Sequence, residues 1–380
     1  ISDGTRHLYI ADRDGDSVYA LYSVVADRME GPRRLHGPVD STYVSRVAPD
    51  GKNVLELFDM DEDGAREVVV VPIDGGAPER ILSAPLPARM SVHELAAVSM
   101  THVLYLAGAE NSDSRDLFSV PIDGGQPAVR LNGDLVAGPA VTSLPRISRD
   151  GSTTLYAANQ DPDPGFELYV VPTDGSQPAL RLPIPLVSGG RGVQFDFDVD
   201  ASHVLYSADQ EEDERYELFS IACDGMQAPR KVNGPLAPNG DVGFYFFEFQ
   251  RGTFWLSPDR QWILYIALQE SDDRGWLYSV PTDGSQPPVR LIASDQVDPW
   301  RFFVSQDSAW VLYYSDPTGT RTFELGSVPI DGPAPPRRLS GPMIPGGSVI
   351  RAEISHDSPT VVYAADQEVD QRFELYSVPI

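Results

Sequence analysis

Apolar and polar positions alternate along this chain in short runs rather than in helical stripes. Val204-Leu205-Tyr206-Ser207, Val361-Val362-Tyr363-Ala364 and Phe373-Glu374-Leu375-Tyr376-Ser377-Val378 carry the β-branched and aromatic residues that fit a pleated surface. Gly, Pro and Asp bound such runs, and no segment sustains helical periodicity, so the pattern predicts an all-β chain. The runs also repeat. Val71-Pro72-Ile73-Asp74-Gly75 returns at 120–124, 171–175, 280–284 and 328–332, with a weaker copy at 221–225. The period is near 50 residues, within the range of propeller blades. Each unit reads as four strands. Strand A ends in a turn such as Ser257-Pro258-Asp259, strand B follows, an acidic loop leads to strand C, and a short strand D after the Asp-Gly turn ends in Arg-Leu, as at Arg130-Leu131, Arg181-Leu182 and Arg290-Leu291.

A Ser-Pro-Asp turn, a Leu-Tyr strand, an Asp-rich loop and then Glu-Leu-Tyr-Ser-Val-Pro-Ile closing on Asp-Gly and Arg-Leu resemble the repeat of the TolB-like (WD-repeat-like) β-propeller family. The resemblance covers essentially the whole chain and implies a β-propeller of four-stranded antiparallel blades, with residues 1–380 as one domain. Eight B–C hairpins begin near His7, Asn53, His102, Thr153, His203, Trp262, Trp310 and Thr360, against seven D strands and seven complete A strands. This count favours eight blades. The alternative is seven, with residues 33–35 pairing with the C strand that ends at Ile380. Further solutions to the incomplete terminal blades are a D–A segment upstream of Ile1 and end-to-end self-association by strand donation.

Charge narrows the partners. The chain has 29 Lys+Arg against 56 Asp+Glu, a net charge of −27, which repels phosphate backbones and anionic lipid. Nucleic acid is therefore a poor partner. No apolar run approaches the roughly 18 residues of a membrane helix, so membrane insertion is not expected. Cys223 is the single cysteine, which excludes an intramolecular disulfide. The TolB-like resemblance implies a periplasmic or extracellular location.

Candidate chemistry gathers in the B–C loops, which share one face with the D–A loops. Asp12, Asp14 and Asp16, and Asp59, Asp61 and Asp63, have the alternate spacing that can wrap carboxylate oxygens around Ca²⁺. The same spacing also makes tight turns, because Asp bonds its own backbone. Glu167, Glu217, Glu324 and Glu374 of the C strands lie beside the D-strand arginines and predict cross-strand ion pairs. The interval from Asp224 to Asp283 is longer than its neighbours, and the excess at 240–255 is rich in aromatics. Tyr245, Phe247, Phe249, Trp255 and Trp300 could form a platform for a sugar ring or a partner peptide, or pack between blades. Neither a G-x-S-x-G elbow nor an H-E-x-x-H motif occurs, and the six histidines fall in different repeats. The reading that follows is a non-enzymatic binding or scaffold propeller for a protein or glycan. The alternative is a carbohydrate-active lyase or hydrolase with its site at the channel mouth.

Overall fold

The structure, a computed structural model, describes residues 6–13, 19–25, 31–39, 44–60, 63–83, 86, 90–109, 112, 114–136, 141, 145–160, 167–187, 190, 192–243, 254–271, 275–292, 297–316, 322–332, 337–355 and 359–380. Thirty strands among them form eight antiparallel sheets, each a meander of three or four strands, and the fold class is that of a β-propeller. The chain divides into two compact units, Ile1–Ile184 with Cys223–Met226, and Pro185–Ala222 with Gln227–Ile380. Among the described residues each unit holds four sheets, three of four strands and one of three.

The first sheet consists of β1 (Arg6–Ala11), β2 (Tyr19–Val25) and β3 (Arg33–Val39). Within it β3 pairs with β2, placing Arg34 opposite Tyr22 and Arg33 opposite Ser23. Residues 33–35 therefore complete their own sheet, and the eight-sheet count holds over the seven-blade alternative. The last sheet, β28 (Val349–Ile354), β29 (Thr360–Ala365) and β30 (Glu374–Pro379), has three strands.

Both faces of the middle strands are buried. In β13 (Thr153–Ala157), Thr154, Leu155, Tyr156 and Ala157 are each 0% exposed, so the strand reads as a continuous rather than an alternating apolar run. At one B-strand register position the residue is Tyr in seven sheets, namely Tyr9, Tyr105, Tyr156, Tyr206, Tyr265, Tyr313 and Tyr363. The second sheet has Glu56 there. In six sheets the ring stacks on an aromatic directly across on strand C, with centroids 5.3 to 5.6 Å apart. Such directly opposed rings are the cross-strand pairs that stabilise a sheet, at about 0.5–1.5 kcal/mol beyond area burial.

The C–D turns connect neighbouring sheets. Gly75 and Gly124 sit at φ of 60° and 62°, a left-handed conformation that glycine adopts without steric cost. Arg33 donates to the carbonyls of Asp74 and Gly75, and Arg80 to those of Ile122 and Asp123, so a D strand reaches the C–D turn of the following sheet. The neighbouring D-strand position carries the expected ion pairs: Arg181 with Glu167 at 3.0 Å, Lys231 with Glu217 at 2.8 Å, and Arg338 with Glu324 at 2.9 Å. Each joins a solvated cation to a carboxylate on the adjacent strand and contributes about 0.2–1 kcal/mol.

The seventh sheet replaces the aromatic pair by Tyr313 over Gly326. A Cβ on Gly326 would lie 2.5 Å from the Tyr313 ring carbon Cζ. Gly326→Ala is expected to lower stability by roughly 1–3 kcal/mol, the usual cost of overpacking. In a Tyr313→Leu background, urea denaturation should show a smaller penalty for the same change, since the crowded ring atoms are gone.

Candidate functional site

The longest departure from the repeat lies in the sixth sheet. Its A strand pairs with β21 (Trp262–Ala267) at two places: Val242 bridges Ala267, and β20 (Phe254–Leu256) pairs Phe254 with Tyr265. The equivalent pairs in the third sheet are Val92 with Ala107 and Leu95 with Tyr105. Leu95 follows Val92 by three positions, whereas Phe254 follows Val242 by twelve, so the nine-residue excess lies between these two pairs.

Asp241 stands at the root of this insert. Its Oδ1 accepts the N–H of Tyr216 at 2.7 Å and that of Val242 at 2.8 Å. At the corresponding places, Ser91 and Ser348 accept the N–H of Arg66 and Phe323 through their hydroxyls. A carboxylate thus replaces a neutral acceptor. Burial pushes Asp241 up to about 7, opposed by the two backbone N–H groups and by Arg215, and reinforced by Asp209. Arg215 also donates to Glu212 at 2.9 Å and to the Ala237 carbonyl at 3.2 Å, tying the acidic loop to the D–A connection. On the same loop, Lys231 bridges Glu211 at 2.7 Å and Glu217.

Three of the acidic loops share one geometry. Asp59 accepts from Gly64, Asp209 from Glu214, and Asp366 from Gln371, each five residues on, at 2.9 to 3.0 Å. The acceptor's partner adopts positive φ in all three: 92° at Gly64, 62° at Glu214 and 59° at Gln371. The second Asp59 oxygen accepts from Asp63 N–H at 3.1 Å, and Asp63 in turn accepts from Ala65. These carboxylates close their own turns. Asp12 follows β1, while Asp14, Asp16 and Asp61 lie outside the described residues. Among the described residues, no group of three or more His, Cys, Asp or Glu side chains is placed to hold a metal ion.

Of the aromatic set, Tyr245, Phe247 and Phe249 lie outside the described residues, as does the side chain of Trp300 on β24 (Val297–Val304). Trp255 on β20 is half-buried and meets Phe302 edge-to-face at 4.9 Å, packed against the core formed by Leu264, Ile266 and Leu277. The histidine that opens β17 (His203–Ala208) pairs with Ala222 and closes on the preceding turn. Ser202 Oγ and Asp198 Oδ2 approach the same ring nitrogen, Nδ1 of His203, at 2.8 and 3.4 Å, so no relay through the imidazole exists.

These carboxylates carry three expected outcomes. Asp241 has a folded-state value above its unfolded 3.8, so its stabilising contribution is complete below about pH 4 and is lost as pH rises through about 7. Asp241→Asn keeps the Oδ1 acceptor, and the variant should melt above wild type at pH 8 with the gap closing below pH 5. For the loops, Asp366→Ala removes the acceptor of Ser348 and Gln371 and is expected to cost about 1–3 kcal/mol. The same closed geometry predicts superimposable melts in chelator and in excess Ca²⁺, whereas a Tm rising with Ca²⁺ would place an ion in these loops.

No protein-family model matches the chain, and no curated protein sequence does. Solved structures do. A dipeptidyl peptidase 4 from Porphyromonas gingivalis aligns over 96% of this chain with a TM-score of 0.61 at 13% identity, and this chain spans 56% of that peptidase. An oligogalacturonate lyase in complex with manganese aligns over 86% of each chain at 14% identity, with a TM-score of 0.45. A putative TolB from Agrobacterium tumefaciens aligns over 92% of this chain and 94% of its own length at 11% identity, with a TM-score of 0.36. At these identities a likeness shows the fold alone, and it is the alignment with the peptidase that agrees with the β-propeller seen in the eight sheets.

Proposed function

We propose that the protein is a non-enzymatic binding propeller whose B–C and D–A loop face receives a cationic protein segment. The observation that carries this reading is the repeated self-closing turn. Because Asp209 and Asp366 hold their loops in shape through backbone N–H groups, the remaining acids of those two loops stay turned to solvent on pre-formed turns. Asp213, Glu214, Glu368 and Asp370 are all exposed. Pre-organised loops reduce the ordering cost of binding, and a single sign of charge speeds encounter with an oppositely charged partner. A periplasmic or extracellular location belongs to this reading.

One observation favours a second reading, a carbohydrate-active lyase or hydrolase. Asp241 titrates near neutrality beside Arg215 at the root of the aromatic-rich insert, and a carboxyl of that kind suits proton transfer.

Calorimetric titration separates the two. An arginine-rich decapeptide is expected to bind with an affinity that weakens steeply with salt, and Asp213→Asn with Glu368→Gln and Asp370→Asn should weaken it several-fold without changing the melt. Failure of the peptide to bind at low salt, together with turnover of an oligosaccharide that Asp241→Asn abolishes, would replace the binding reading by the enzymatic one.

A further inference from the structure

The eighth sheet has the order β28, β29, β30, so among the described residues β30 has a neighbouring strand on one side only. In the second to seventh sheets the C strand carries a two-residue D strand on its other side. The register there is constant. Arg130 stands opposite Phe118, Arg181 opposite Tyr169, Lys231 opposite Phe219, Arg290 opposite Tyr278 and Arg338 opposite Gly326. The residue after the cation donates its N–H to the C-strand leucine carbonyl: Leu131 to Leu117 at 2.8 Å, Leu182 to Leu168 at 2.9 Å and Leu339 to Leu325 at 2.8 Å. One residue further on, the side chains of Asn132, Asn233 and Ser340 accept the N–H of Leu117, Leu218 and Leu325. The D segments thus share a template in which a cation, an aliphatic residue and a small amide or hydroxyl follow one another.

β30 presents the groups that this template satisfies. By their pairing with strand B, Tyr376 corresponds to Tyr169 and Leu375 to Leu168. In the fourth sheet the Glu167 carboxylate accepts from the Tyr169 hydroxyl at 2.7 Å and meets Arg181 at 3.0 Å, and its side chain is 2% exposed. In the eighth, Glu374 accepts from the Tyr376 hydroxyl at 3.2 Å, but the cation beside it is Arg372, 3.3 Å away on the preceding turn, and the Glu374 side chain is 37% exposed. Leu375 is 78% exposed, whereas Leu117, Leu168, Leu218, Leu277 and Leu325 are 3% exposed or less. Val362 on β29 is exposed as well, while its counterparts Leu104 and Leu312 share core clusters with the D-strand residues Leu131 and Leu339.

We infer that the open edge of β30 docks an extended segment of a partner protein, which adds a fourth antiparallel strand with the sequence aliphatic–Arg–Leu–Asn. The arginine meets Glu374. The leucine covers Leu375 and Val362 and donates to the Leu375 carbonyl, and the asparagine side chain accepts the Leu375 N–H. A strand edge is a template for pairing with another chain; main-chain bonds then supply affinity and alternate side chains supply selectivity. Charge complementarity selects a basic segment, because the edge offers a carboxylate in a chain of net charge −27. A second copy of this chain is a poor occupant. Its seven described D segments are all paired within their own sheets and would have to leave them. The site runs along a strand edge rather than over the acidic loops, so it does not depend on binding at the loop face.

The test is calorimetric titration of the whole chain with an acetylated, amidated peptide of the sequence at residues 127–133, Pro-Ala-Val-Arg-Leu-Asn-Gly. Binding is expected, and it should weaken about tenfold when the peptide is N-methylated at its leucine, which removes one main-chain hydrogen bond. A scrambled peptide of the same charge should bind no better than the methylated one. Glu374→Gln is expected to weaken the parent peptide several-fold while leaving a peptide with Gln in place of its arginine unaffected. Amide exchange at Leu375 should slow when the peptide saturates the protein. Equal binding of the parent, methylated and scrambled peptides would reduce the contact to charge attraction and overturn the inference, as would the absence of binding at millimolar peptide. A dimer in sedimentation that the peptide dissociates would give the edge to a second copy and overturn the choice of a partner protein.

Discussion

A sheet whose middle strands are apolar on both sides is stable only between neighbours, and that requirement organises the whole molecule. Tyr156 and Leu155 lie on opposite faces of one strand and both are fully buried. The tyrosine ring stacks within its own sheet, while its hydroxyl accepts from Gln160 at the loop end. Similar tyrosines extend this contact between sheets, since Gly234 donates to Tyr265 and Gly341 to Tyr363 across a seam. The D strands can be two residues long because their work is to place one side chain on the next turn and one against the adjacent carboxylate.

Departures from the repeat are compensated locally, and the compensation identifies each as a different kind of change. In the sixth sheet Trp276 occupies the C-strand position of Glu217, and Arg290, the usual cation, lies 3.8 Å over the indole instead. In the seventh, a glycine accommodates a tyrosine ring. Both exchanges leave apolar packing or a solvated cation behind. Glu56 and Asp241 are of another order, because each introduces an ionisable group where the repeat has a neutral one.

The fold was legible in the sequence because a period near 50 residues and a Val-Pro-Ile-Asp-Gly turn are one-dimensional features. The C-strand glutamates and D-strand cations were legible for the same reason, being adjacent in a regular meander. Asp241 was not singled out, although it takes the place of Ser91 and Ser348, since the match appears only when the D–A connections are aligned by their hydrogen bonds. Spacing also could not say whether Asp59 faces an ion or its own backbone, because both uses favour the same residues. Glu56 looked like one more acid in a −27 chain. Only the register of eight sheets reveals it as the exception to a column of tyrosines.

The position of the insert has a consequence for the design of the chain. Val242 and Phe254 keep the same partners on strand B that their counterparts keep in the third sheet, so the register is the same on either side of the added segment. Nine additional residues are thus accommodated between two pairs that keep the spacing on strand B found in the third sheet. In the sixth sheet, then, the order of pairing on strand B and the length of sequence between two of its partners are set independently.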